Sequence, residues 1–147
     1  PMTLQNWLAI HRLVKFEPTP HGIAKLLAAA RRNLADAKVV GVSSETRFDA
    51  AYKVILQCAM AALWANGYRA PTSEPGHHLT AVQTLPKTIG VASERVVVLD
   101  ALRKQRNLSD YEGDPVSAAA LIECLIQAET LLEEVTAWLA RHRPDLI

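Results

Sequence analysis

The chain has few of the groups that staple a fold covalently or through a metal. Only two cysteines occur in 147 residues, Cys58 and Cys124. Each sits inside an apolar helical pattern, so they read as buried free thiols, which suits a cytoplasmic location. No metal or other cofactor is expected: adjacent His77 and His78 would point apart on a helix, and no further ligand stands at metal spacing. Charge of one sign is also lacking. A formal net charge of +1 gives no global electrostatic case for nucleic acid or a membrane surface, so any phosphate site must be local. No apolar run is long enough to span a bilayer, and no basic segment leads into a greasy stretch and a small-residue cleavage site, so neither a membrane partner nor a signal peptide is expected. Pro1 ahead of Met2 reads as a residue left by expression. Aromatics are scarce, at 5%. Trp64 and Trp138 read as core or interface residues, and no stacking platform for single-stranded RNA is legible in them. Internal repeats, low-complexity tracts and a second domain are absent.

What is present is apolar and helical. Half the residues are hydrophobic, with alanine and leucine prominent and little alternation of β-branched with polar positions. One all-α domain with one core follows. Residues 3–16 read as a first helix with Thr3 as N-cap, broken by Glu17-Pro18-Thr19-Pro20, so residues 1–19 form an N-terminal helical arm docked on the main body. The domain proper, residues 20–147, is expected to hold about five helices and no sheet. Thr19-Pro20 is a cap-and-proline start. Ile23, Leu26, Leu27, Ala30, Leu34 and Ala37 then form one stripe, with Gly41 as the stop. Ser43 or Ser44 caps a long helix with Phe48, Tyr52, Ile55, Ala59, Ala62 and Leu63 on its inner face, ended by Asn66-Gly67. Residues 68–76, with the Ser73-Glu74 pair and Pro75, read as a loop. A short helix spans 76–85 and stops at Pro86, and residues 87–92 read as a linker. Ser93 caps a fourth helix to about Leu108; its valine run could form a strand, but the chain offers no partner strand. Asp114-Pro115 opens the last helix, where Leu121, Leu125, Ala128, Leu132, Val135 and Leu139 repeat at steps of four and three.

The fourth helix carries the one constellation with chemical content. At 100° per residue, Arg106 falls within roughly 20° of Leu99, Arg103 within about 40°, and Asp110, if the helix continues, within about 20°. An apolar stripe thus turns into Arg103, Arg106 and Asp110, with Asn107 beside it. Buried charge is costly unless compensated. An Arg106–Asp110 pair at i,i+4 is one compensation; a bound phosphate is the other. Two arginines against one aspartate on that face leave positive charge unpaired. Asp49 and Tyr52 on the second helix are candidates to meet Arg103 or Arg106 across the bundle. His77 and His78 either cap the short helix or supply an acid–base group to the same cleft. Arg31, Arg32, Arg141, His142 and Arg143 read as solvated surface.

The segment Leu102-Arg103-Lys104-Gln105-Arg106-Asn107-Leu108-Ser109-Asp110-Tyr111 resembles the signature region of the HEPN superfamily. That family carries an arginine, usually a polar residue next, and a histidine after four to six intervening positions. Support comes, in the family's order, from Phe48-Asp49-Ala50-Ala51-Tyr52, Asn66-Gly67-Tyr68-Arg69 and Gly76-His77-His78-Leu79-Thr80. The resemblance covers roughly residues 20–143. It implies a HEPN-like helical bundle that forms a homodimer, with the fourth helix at the interface. Its ribonuclease members, among them toxins and defence effectors restrained by a partner or antitoxin, cleave RNA without metal through the 2′-hydroxyl; the arginine stabilises phosphate charge and the histidine transfers protons. Here Tyr111 stands where the shortest form of the motif has histidine, and Glu112 and Gly113 follow; counted from Arg103, the positions hold Leu108, Ser109 and Asp110. A tyrosine of ordinary pKa near 10 is a poor base at neutral pH but can donate a hydrogen bond to phosphate. The implied catalytic pair is Arg106 and Tyr111, with Arg103, Asn107, Asp110, Asp49, His77 and His78 binding phosphate or RNA or ordering the site. The alternatives are a non-catalytic module that binds RNA, a nucleotide or a partner such as a small nucleotidyltransferase, and a plain dimerisation bundle with an ion-pair network.

Overall fold

The computed structural model describes residues 2–73 and 76–147. The readings of Pro1, Glu74 and Pro75 lie outside the described residues. The described chain is all-helical apart from one two-residue ribbon. Its helices are α1 (Leu4–Ala9), α2 (Pro20–Ala37), α3 (Ser44–Ala65), α4 (His77–Gln83), α5 (Leu85–Thr88), α6 (Ser93–Glu112) and α7 (Ala118–His142), with a closing 3-10 turn at Pro144–Leu146.

The long helices begin where side chains can accept orphan backbone N–H groups. The Thr19 hydroxyl accepts from Gly22 N at 3.0 Å, Ser43 from Thr46 N at 3.2 Å and Ser117 from Ala120 N at 3.1 Å. The last of these moves the start of the final helix from Asp114-Pro115 to Ala118, because the serine hydroxyl supplies the cap. Ser93 is not a cap; Ala92 takes that place with no side-chain bond. The fourth long segment continues to Glu112, past Leu108. It stops at Gly113, whose φ of +73° suits the residue without a Cβ, and Asp114 N reaches back to Leu108 O at 3.3 Å. Pro86 does not end α4; it sits in the first turn of α5, where the missing N–H costs nothing. The expected linker therefore begins with helix, and six helices follow Thr19 rather than five.

The arm departs most from its expected form. Thr3 does cap α1, with a reciprocal Thr3–Asn6 box, but the helix ends at Ala9 and the chain turns through His11 at φ +62°. Val14–Lys15 (β1) then pairs antiparallel with Tyr68–Arg69 (β2), with Val14 opposite Arg69. A small sheet thus exists where none was expected, while the valine run lies in α6 as helix. Leu13 is buried, the Arg12 guanidinium donates to Thr80 Oγ1 at 2.8 Å, and the Phe16 and Trp64 rings lie 4.9 Å apart.

The core is built around α3. Twelve of its residues are buried, since it packs against α2, α7 and the α4–α6 side of the molecule. Its alanines at 51, 59, 61, 62 and 65 are all buried and let these neighbours approach. On α7 the buried set is broader than a two-position seam: Cys124 and Leu131 are buried, while Leu125 is only partly so. No helix among the described residues is long and apolar enough to cross a membrane.

Candidate functional site

α6 has only two buried residues, Leu99 and Leu102, and its polar edge faces α3 and α4. Arg103, Arg106 and Asn107 of α6 line one cavity of about 220 Å³ with Tyr52 of α3, Gly76, and His77, His78 and Leu79 of α4; Tyr111 closes its rim. Seven residues singled out in the sequence, from three segments, therefore meet at one place. Gly76, at φ +77°, opens α4 in the left-handed region and turns the histidines into the cleft.

The charges are more nearly balanced than the sequence suggests. Arg106 Nε lies 3.1 Å from Asp49 Oδ1 and 3.0 Å from Asp110 Oδ2. Arg103 Nε lies 2.8 Å from Asp100 Oδ1, and Asp100 Oδ2 lies 3.4 Å from Lys104 Nζ. Asp49 further pairs with Lys53 at 3.5 Å. Two carboxylates thus hold Arg106 and a third holds Arg103, which corrects the expectation of unpaired positive charge. Asp100 escaped the sequence reading, although its i,i+3 spacing to Arg103 is a legible signal. Asp49 and Asp110 do not line the cavity. They face a neighbouring open depression with Glu45, Thr46, Ser109, Gly113 and Asp114, and act on the site by fixing the Nε edge of Arg106. For both arginines the carboxylates take Nε, so the terminal nitrogens carry no hydrogen bond among the described residues.

Burial shapes the remaining groups. The Arg106 Cζ sits 5.6 Å from the Tyr52 ring centre. The Tyr52 hydroxyl is buried and has no hydrogen-bond partner among the described residues. Burial pushes its pKa up to about 12, against the lowering by Arg103 and Arg106. Burial, then His77 and Arg106, hold His78 below the usual histidine value. This favours the neutral imidazole, the form that can accept a proton. The His77 and His78 rings meet edge to face at 4.1 Å. At Arg106 burial opposes the charge, but the Asp49 hydrogen bond and the Asp110 and Asp49 charges outweigh it, so the group stays cationic. Tyr111, 79% exposed, stands at the edge rather than converging with Arg106 inside. Among the described residues no group of three histidine, cysteine or carboxylate side chains is placed to hold a metal ion.

This arrangement offers guanidinium donors and an amide for an anion, with an imidazole beside them. Its parts suit a phosphate group and proton transfer next to it. Comparison with protein-family models, with curated protein sequences and with solved structures finds no significant match to this chain.

Proposed function

We propose that the chain is an RNA-directed protein of the HEPN type, and that the Arg103–Arg106–His78 cleft holds an RNA phosphate. One observation carries the reading: the arginines of α6 and the histidines of α4 line a single cavity, although 25 residues separate His78 from Arg103 in the sequence. Metal-independent cleavage fits this set. A ribose 2′-oxygen attacks the adjacent phosphorus, its proton passing to neutral His78. Arg106 and Arg103 stabilise the charge on the phosphoryl oxygens, and the 5′-oxygen leaves with a proton from His77 or water. The products are a 2′,3′-cyclic phosphate and a 5′-hydroxyl. In this reading His78 takes the place of the motif histidine, and Tyr111 contributes a hydrogen bond at the rim.

Assembly belongs to the same proposal. Val97, Ala101, Lys104, Leu108 and Tyr111 share the outward face of α6, and Val97, Leu108 and Tyr111 are exposed large side chains. A homodimer through this face would bury Val97, Leu108 and Tyr111, and a role as toxin or defence effector would require a restraining partner such as an antitoxin. A second reading is favoured by the carboxylates behind Arg106 and by the exposed Tyr111: a non-catalytic module that binds RNA, a nucleotide or a small nucleotidyltransferase.

The test is incubation of purified protein with total RNA, alongside anisotropy measurements of RNA affinity at low and moderate salt. We expect cleavage, and at least a tenfold loss of affinity in Arg106→Ala. The substitution also strands Asp49 and Asp110 in a half-buried setting, so its stability cost should be about 1–2 kcal/mol. Binding without cleavage selects the second reading. A large drop in melting temperature with unchanged RNA affinity rejects both.

A further inference from the structure

A second cavity, of about 160 Å³, adjoins the phosphate cleft and shares His77 and His78 with it. Its other walls include Met60 and Trp64 on α3, Ala81 on α4, and Arg69 and Thr72 from the chain after α3. The lining is mostly apolar carbon, in contrast to the arginine-rich neighbour. Trp64 is only partly buried; it is braced by the Phe16 ring at 4.9 Å, and the β1–β2 pairing fixes the backbone of Arg69. The result is an indole, a polarisable thioether, one guanidinium and one hydroxyl lining a pocket that shares its histidines with the arginine-lined cleft.

We infer that this pocket is a nucleobase subsite of the phosphate cleft, so that the two cavities together take one nucleotide unit. The inference rests on the phosphate reading above. A base has an apolar face that stacks on an indole and a polar edge that Arg69 and Thr72 can meet. Its ribose then bridges the histidine pair and delivers the phosphate to Arg103 and Arg106. The buried Tyr52 hydroxyl beside the cleft, which has no partner among the described residues, adds an unspent donor on the phosphate side. A base that must enter a pocket has to be unpaired, so the ligand is a free mononucleotide or a residue of single-stranded RNA, and duplex RNA is excluded.

Binding of nucleoside 5′-monophosphates, ribose 5-phosphate, a single-stranded oligoribonucleotide and the same strand in a duplex tests this by titration calorimetry and tryptophan fluorescence. The expected results are at least tenfold tighter binding of mononucleotide or single strand than of ribose 5-phosphate, and poor binding of the duplex. Trp64→Leu, which keeps apolar packing on Phe16, should bring nucleotide affinity down to that of ribose 5-phosphate and leave the latter unchanged. Met60→Ala, on the same helix face, should lower nucleotide affinity in part and guards against a folding defect in the first variant. Single strand bound tightly with mononucleotide no better than ribose 5-phosphate, the single-strand advantage being lost in Trp64→Leu, identifies the source as RNA; tight mononucleotide binding lost in Trp64→Leu identifies the free nucleotide. Equal binding of all phosphates, unaffected by Trp64→Leu, overturns the subsite and leaves the phosphate cleft standing. No binding of any phosphate overturns both.

Discussion

α3 and α6 are nearly equal in length, 22 and 20 residues, yet they do opposite work. α3 buries twelve residues and is covered on most of its circumference; α6 buries two and lies along the outside with a polar edge turned inward. Burial is concentrated in the first, and the charged edge that lines the cleft in the second. The arginines of α6 can be held by carboxylates and still present their outer nitrogens only because α6 is shallowly seated. α6 supplies Asp100 and Asp110 to its own arginines, and α3 adds Asp49 and Tyr52 behind Arg106 on a rigid support.

The contrast breaks most visibly under truncation of the α3 core. Phe48 is fully buried, so Phe48→Ala should cost about 3–5 kcal/mol in urea titration; a loss below about 1 kcal/mol would show that α3 is not the organising element.

The pH dependence of stability should split along the same line. Burial raises Cys58 of α3 and Cys124 of α7 to about 12 from an ordinary 9.0. The unfolded chain releases these protons first. Their contribution is whole below pH 9 and is lost as pH rises toward 12. The double variant Cys58→Ala, Cys124→Ala should flatten that alkaline limb. On the acid side the sensitive groups belong to the cleft. Burial lowers His78 from 6.5. At Asp100 burial opposes ionisation, but the Arg103 hydrogen bond and charge and then Lys104 prevail, holding it below 3.8. Both favour the fold above their unfolded values, and that share is lost as pH falls through and below them. Thermal melts from about pH 2 to about pH 11 separate the two limbs.

Tyr52→Phe sharpens the comparison from within α3. It removes a buried hydroxyl that lacks a protein partner, so stability should hold or rise by up to about 1 kcal/mol, while phosphate affinity falls. A destabilisation above about 1 kcal/mol would mean that the hydroxyl serves the fold. The smallest effect is expected on the outer face of α6: Val97 is 71% exposed, and Val97→Ala should shift stability by less than about 0.5 kcal/mol at low protein concentration. A larger shift that grows with concentration would locate a subunit contact there.

α2 and α3 were legible because each joins a cap signal to a 3.6-residue stripe, as Thr19-Pro20 with Ile23, Leu27 and Ala30 does, and α6 and α7 were legible from the stripe alone. The grouping of Arg103, Arg106 and Asn107 was legible for the same reason, since positions on one helix share a face whatever surrounds them. What stayed hidden depends on contacts between distant segments. Nothing local in Val14-Lys15 or Tyr68-Arg69 marks a two-residue strand; each is extended because the other is there. Asp49 meets Arg106 only through the packing of α6 across α3. Placing the histidines required Gly76 in the left-handed region and Arg12 bonded to Thr80, neither of which periodicity reports.

That ribbon has a consequence for the order in which the molecule closes. Residues 15 and 68 are opposite one another, and the intervening chain is essentially the α2–α3 hairpin. Two antiparallel helices of similar length return the backbone to its starting level, so the loop-closure entropy of bringing these residues together is spent when the hairpin forms. The ribbon is then a local event despite its wide separation in sequence. Through the Arg12–Thr80 hydrogen bond the ribbon is tied to α4, so the position of the histidine pair depends on the same closure.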